Sequence, residues 1–285
     1  MYYITTFMPV TINTIKDSKN KRKIVALTAY DYSTAKVLDD AGVDIILIGD
    51  SLAQVALGYQ STLSVTMEEM LHHAKAVLKA VKNSLVVADM PFLSYQVSTK
   101  EAMRNAGKFL QIGANAVKLE GASRNILRTV EKMNSNGIPV LGHIGFTPQS
   151  VNTLGGNRVQ GKSAESGKKL LTQAKDLQSA GCFALVIELV PSEIAALITE
   201  SIDIPTIGIG AGSDCDGQIL VTDDLIGKFT DFKPSFVRRY AEVGKETRNA
   251  VSNFIYDVQN SRYPQVNESF YLSEVEIEKV NQIKK

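Results

Sequence analysis

Eight short apolar runs rich in β-branched residues alternate along this chain with segments of helical period. The runs are Ile24–Ala29, Asp44–Ile48, Leu85–Ala88, Ala116–Leu119, Ile138–Gly142, Phe183–Ile187, Pro205–Ile209 and Gln218–Val221. Each is too short for a helix and reads as a strand buried on both faces. Between them, residues 67–82 place Met67, Met70, Leu71, Ala74, Val77, Leu78 and Val81 on one helical stripe. The next helix carries Ala102, Met103, Ala106, Phe109 and Leu110, and further helices fit 32–41, 122–136, 165–180, 192–201 and 235–260. Thr66 with Glu69, and Ser98 with Glu101, have the spacing of capping boxes. Gly42, Gly113, Gly137 and Gly181 stand where a helix ends before a strand begins, the position of a left-handed cap.

Strands alternating with helices predict an α/β fold with a parallel sheet. Eight such units predict a single-domain (β/α)8 TIM barrel over residues 1–263, with a polar C-terminal tail over 264–285 packing outside it. An open doubly wound sheet is the alternative.

Composition narrows the class of protein. With 31 basic against 30 acidic residues the formal charge is +1, which argues against a broad grip on nucleic acid. No apolar run approaches the roughly 20 residues of a membrane span, and Met1–Lys23 has no secretion signal, so a cytoplasmic protein is expected. Cys182 and Cys215 lack metal-like spacing and read as reduced thiols.

Chemistry-bearing residues gather at the C-terminal ends of the strands. These are Asp50 and Ser51 after the second, Asp89 at the third, Lys118 and Glu120 at the fourth, His143 at the fifth and Glu188 at the sixth. In a barrel these ends converge on one face, where barrel active sites are built. Alternation puts Lys118 and Glu120 on one side of their strand, with Val117 and Leu119 turned towards the helices. A single strand-end acid reads as a helix cap or surface ion pair, but acids on four strand ends do not. Crowded carboxylates stay ionised only with a cation among them, and oxygen ligands select a hard ion such as Mg2+. Such an ion polarises the carbonyl of a 2-oxo acid, and a carboxylate off the metal then removes the adjacent proton. The residues read in this way imply metal-assisted enolate formation without naming the substrate.

Two other features carry less. His72 and His73 are adjacent on a helix and point in different directions. Gly208-Ile209-Gly210-Ala211-Gly212 is followed by another strand instead of a helix, so it reads as a rim turn and not a dinucleotide loop.

The strings GDSLAQVALGYQSTLSVTMEEMLHHAKAV at 49–77, VVADMPF at 86–92, GANAVKLEG at 113–121, GHIGFTPQSVNTLGG at 142–156, VQGKS at 159–163, IELVP at 187–191, IPTIGIGAG at 204–212 and DGQILV at 216–221, with Ala29-Tyr30-Asp31 before them, resemble the 3-methyl-2-oxobutanoate (ketopantoate) hydroxymethyltransferases. The resemblance implies a Mg2+-dependent homodecameric barrel. Such an enzyme transfers a hydroxymethyl group from 5,10-methylenetetrahydrofolate to 3-methyl-2-oxobutanoate, giving 2-dehydropantoate in the first step of pantothenate synthesis. It further implies that Asp50, Asp89 and Glu120 hold the metal, and that Asp50, Ser51, Asp89 and Lys118 hold the oxo acid. Glu188 falls at the proton-abstracting base and His143 close to the metal site, while no folate-contacting residue is assigned. Ser64 replaces an expected proline, and Asn157-Arg158 an expected aromatic–basic pair. Three rivals stand beside this reading: a Schiff-base lysine aldolase using Lys118, a metal-dependent lyase without folate, and a catalytically inert ligand-binding barrel.

Overall fold

The computed structural model describes residues 9–283. The first eight residues, part of the stretch read for a secretion signal, and the last two of the tail lie outside the described residues. Strands β1 (Ile24–Thr28), β2 (Ile45–Ile48), β3 (Leu85–Asp89), β4 (Ala116–Lys118), β5 (Val140–Gly145), β6 (Ala184–Glu188), β7 (Thr206–Ile209) and β8 (Gly217–Leu220) pair in parallel, and β8 returns to β1 to close a barrel. The helices are α1 (Ile12–Asp17), α2 (Tyr32–Asp40), α3 (Leu52–Val55), α4 (Met67–Ala80), α5 (Thr99–Gln111), α6 (Arg124–Asn134), α7 (Val151–Leu154), α8 (Ala164–Ala180), α9 (Ser192–Ser201), α10 (Thr222–Leu225), α11 (Val243–Gln259) and α12 (Glu274–Ile283). This is the (β/α)8 arrangement that the alternation predicts, and the open sheet is excluded by the β8–β1 pairing.

The period of two along each strand divides the core. One set of side chains fills the barrel: Ile24, Ala26, Ile45, Leu47, Leu85, Val87, Ala116, Leu141, Ala184, Val186, Ile207 and Ile219. The other set, including Ile46, Ile48, Val86, Ala88, Val117, Leu119 and Leu185, packs outward on Met70, Val77, Phe109, Val130 and Leu177 of the helices. At the barrel floor α1 buries Ile15 completely, and Lys19 Nζ reaches Asp216 Oδ2 at 2.8 Å.

The helical ring is not complete. β7 connects to β8 through residues 210–216 with no helix between, and none of the residues of α11 is buried. Among the described residues no helix covers the outer face of β1 and β8, where Val25 is 50% exposed and Gln218 is also exposed. Helix α11 meanwhile presents Val251, Phe254, Ile255 and Val258 to solvent. Beyond it, α12 buries no residue either. No helix among the described residues is long and apolar enough to cross a membrane.

Local signals hold with some corrections. The Thr66–Glu69 box closes in both directions, whereas Ser98 only accepts from the Glu101 N–H. Gly42, Gly113, Gly137 and Gly181 all have positive φ. The helix expected over 235–260 begins only at Val243. Upstream, the Tyr240 and Val243 N–H groups donate to Leu225 and Ile226 carbonyls at 2.8 and 3.0 Å, so tertiary hydrogen bonds override the helical period. β5 runs three residues past Gly142, which puts His143 inside the strand.

Asp39 of α2 clasps the turn before β3. Its carboxylate accepts from the N–H groups of Lys82, Asn83 and Ser84 at 3.0, 2.9 and 2.7 Å. Burial pushes the Asp39 pKa up, but these N–H groups outweigh it and hold the pKa below the usual value. Asp39→Ala leaves three N–H groups without an acceptor and should cost about 2–3 kcal/mol, measured by denaturant unfolding. With the folded pKa depressed, the Asp39 contribution is present above the unfolded aspartate pKa of about 4 and is lost as pH falls through the folded value.

Candidate active site

The inward-facing set that fills the barrel continues upward into a charged layer. Leu85 and Val87 lead to Asp89, Ala116 to Lys118 and then Glu120, Leu141 to His143, and Ala184 and Val186 to Glu188. Val117 and Leu119 pack towards the helices, as alternation requires. Asp50 and Ser51 sit in the turn between β2 and α3. All seven residues line one cavity of about 910 Å³ at the C-terminal mouth of the barrel.

Strand register sets Lys118 directly beside Asp89, and Lys118 Nζ lies 2.6 Å from Asp89 Oδ1 and 3.8 Å from Glu120 Oε1. Asp89 Oδ2 accepts the Asp50 N–H at 2.9 Å. His143 stands between two carboxylates, Nδ1 at 3.4 Å from Glu120 Oε1 and Nε2 at 3.3 Å from Glu188 Oε2. Those contacts are at ion-pair distance without hydrogen-bond alignment, so both ring nitrogens and Glu120 Oε1 are buried polar atoms lacking a hydrogen bond. Glu188 is the most open of the charged groups, its side chain 17% exposed.

Burial alone would discharge this layer, and the neighbouring charges decide which groups resist it. Burial and the Asp89 and Glu120 charges push the Asp50 pKa well above its usual value. Glu120 goes the other way, because His143, Lys118 and the Gln149 N–H outweigh its burial. Burial opposes the Lys118 charge, but Asp89, Glu120 and Asp50 raise its pKa above the usual value. Burial and the Lys118 charge push His143 down, yet Glu120 and Glu188 hold it up at about 9.

Two residues with no assigned role in the sequence tie the layer together. Gln149 Nε2 donates to Asp50 Oδ2 and to the Met90 carbonyl, each at 2.9 Å, and the Gln149 N–H donates to Glu120 Oε2 at 2.9 Å. The Tyr95 hydroxyl donates to Gln149 Oε1 at 2.8 Å and accepts the Glu120 N–H at 3.1 Å. The signal for Gln149 was its place just past β5 in the PQS string; nothing in the local pattern marks Tyr95. Ser51 Oγ is 2.8 Å from the Tyr30 hydroxyl, and His73 Nδ1 is 2.7 Å from the Tyr30 carbonyl, so His73 serves the scaffold. Gly210-Ala211-Gly212 is the rim turn leading to β8. Gly145 has φ +94°, and a Cβ there would collide with the Glu188 carbonyl oxygen, so glycine lets β5 pass close to the end of β6.

A closed parallel barrel with a lysine, a histidine and four carboxylates at its C-terminal mouth defines an enzyme of the TIM-barrel class. Residues 9–266 match the ketopantoate hydroxymethyltransferase family. The chain is 50% identical over 275 residues to a 3-methyl-2-oxobutanoate hydroxymethyltransferase of Clostridium botulinum (strain Alaska E43 / Type E3), covering 96% of this chain and 100% of the relative. It is 51% identical over 275 residues to one of Dehalococcoides mccartyi (strain CBDB1), covering 96% and 98%. The fold is similar to that of a phosphonopyruvate hydrolase solved with oxalate and Mg++ (TM-score 0.59, 13% identity, 96% and 97% covered) and of a 2,3-dimethylmalate lyase (TM-score 0.58, 14% identity, 98% and 100% covered). The chain belongs to the ketopantoate hydroxymethyltransferase family, and it is a transferase.

The His143 bridge has a pH signature. Its folded pKa of about 9 lies above the ordinary 6.5, so its stabilisation is fully present below about 6.5 and is lost as pH rises through about 9. His143→Gln should flatten that part of the stability–pH curve, measured by denaturant unfolding across the range.

Proposed function

We propose that the enzyme forms 2-dehydropantoate from 3-methyl-2-oxobutanoate and 5,10-methylenetetrahydrofolate, with Glu188 as the base. The observation that supports this most is the division of labour among the carboxylates. All four line the cavity, but Asp50, Asp89 and Glu120 are buried and engaged with Lys118, Gln149 and each other, whereas the Glu188 side chain is the more open one.

Four carboxylates face two cationic groups, so an anionic substrate entering alone would meet excess negative charge. A divalent cation resolves this, and the donor set fits one: Glu120 Oε1 is buried without a hydrogen bond, and only one Asp50 oxygen is engaged, by Gln149. Among the described residues no three acidic, histidine or cysteine side chains form a ready-made metal cage. Mg2+ is commonly held by one or two carboxylates together with substrate oxygens and water. Asp50, Asp89 and Glu120 would hold it, and the bound ion would supply Lewis-acid polarisation of the 2-carbonyl.

The chain's own groups account for the proton and charge movements. Ser51 and Lys118 donate to the oxo acid, and the protonated Lys118 offsets negative charge as it develops there. Glu188 takes the C3 proton, and the C–H electron pair forms the new carbon–carbon bond to the one-carbon unit. The two C–N bonds from that carbon to tetrahydrofolate break with their electron pairs left on the nitrogens, which take up the C3 proton from Glu188 and one proton of the water whose hydroxyl joins the product. His143, protonated, stands between Glu188 and Glu120 and orients the base. A Schiff-base mechanism fits poorly, because the carboxylates hold Lys118 in its protonated, non-nucleophilic form.

The resemblance also extends to self-association towards a homodecamer. The exposed apolar stripe of α11 and the bare outer face of β8 and β1 support packing between copies of the chain.

Proton NMR of 3-methyl-2-oxobutanoate in D2O tests the reaction. Metal-dependent loss of the C3 proton signal is expected, with product only when methylenetetrahydrofolate is added. Glu188→Gln should lower the exchange about 100- to 10,000-fold, the range of general-base assistance, while leaving oxo-acid binding largely intact. Persisting exchange would remove Glu188 from its role, and exchange without folate-dependent product would favour a lyase.

A further inference from the structure

The cavity is several times larger than a small oxo acid requires. The charged layer occupies the side built by β2 to β6. The opposite wall comes from the segment after β8 and carries Val221, Asp224, Phe229, Phe232, Pro234 and Phe236. No step of the proposed reaction has yet used this wall.

Asp224 is the feature there that needs a partner. It is only 9% exposed, yet its carboxylate makes no hydrogen bond or ion pair among the described residues, and it lines the cavity. Its neighbour Asp223 pairs with Lys228 at 3.0 Å, so it gives Asp224 a like charge and no relief. Arg239, the nearby cation, instead donates to the Phe229 carbonyl at 3.0 Å and faces Glu242 at 3.5 Å. Burial, then Asp223, raise the Asp224 pKa to about 6, which leaves it ionised at neutral pH. The carboxylate is open to the cavity, so a ligand entering there can supply the donors that the protein does not. Phe232, 63% exposed, lines the same cavity, as do Phe229 and Phe236.

The complement to a lone carboxylate among phenylalanines is a flat, apolar-faced ring with two N–H donors on one edge. A carboxylate accepts such a pair in bidentate fashion, and aromatic side chains take the ring faces. The 2-amino-4-oxopyrimidine edge of a pteridine has this donor pair. Resting on the folate-dependent reading above, we propose that Asp224 anchors the pteridine ring of the one-carbon donor, with Phe232 flanking it. The one-carbon unit then reaches the oxo acid from the β8 side, across the cavity from Lys118.

The test is steady-state kinetics of Asp224→Asn at saturating oxo acid with methylenetetrahydrofolate varied, alongside the folate-independent C3 proton exchange. Loss of a charge-assisted donor pair should raise the folate KM about 10- to 100-fold, while exchange stays within about twofold of wild type. An unchanged folate KM overturns the proposal. So does a parallel fall in exchange, which would mark Asp224 as merely structural. Phe232→Ala, at an exposed position, gives a second reading should Asp224→Asn fold poorly: a raised folate KM supports the proposal and an unchanged one overturns it. If the wild-type enzyme exchanges the C3 proton but never makes folate-dependent product, the reaction reading itself fails, and the proposal with it.

Discussion

The ion pair between Lys118 and Asp89 is the interaction on which the rest of the site depends. Strand register alone puts the two residues side by side on β4 and β3. Around them the layer is a mutual arrangement: Asp89 takes the Asp50 N–H, Lys118 approaches Glu120, and Glu120 faces His143, which faces Glu188. Breaking one partner of a buried pair leaves an uncompensated charge, so no member can be exchanged without disturbing its neighbours. A packed apolar interior below and an open cavity above confine the consequences to one plane.

That plane follows from parity. The side chains that fill the barrel and the side chains that carry chemistry are the same alternating set, cut at the height where the apolar residues stop. The outer set has no such change, because it must stay apolar to hold the helices. Electrostatics then differentiates chemically similar acids, raising Asp50 while lowering Glu120. The difference arises from what each faces, since both are buried.

Much of this is legible in the residues because strands and their alternation are local. Asp89, Lys118, Glu120, His143 and Glu188 are found by counting from apolar runs, and the (β/α)8 closure by counting the runs. The resemblance then supplies chemistry that spacing cannot. What escaped the sequence is non-local. Gln149 and Tyr95 come from loops far apart in the chain and meet only because the barrel folds. The late start of α11 depends on hydrogen bonds to the end of α10, which no helical period can report. The missing helix between β7 and β8 was implicit in the short 210–216 connection, yet its effect, a bare flank on β8 and β1, needed the closed barrel to be seen.

That open flank bears on how the molecule breathes. Six strands are clamped between interior and helices, while among the described residues the outer side of the β8–β1 pair is left without a helix. Local opening is cheapest where apolar contacts are fewest, so within the barrel this sector sets the low end of the protection against amide exchange. The wall carrying Asp224 grows directly out of it. A ligand that bridges this wall to the firmly held carboxylates opposite would bind only the closed form, and by mass action would rigidify the loosest arc of the barrel.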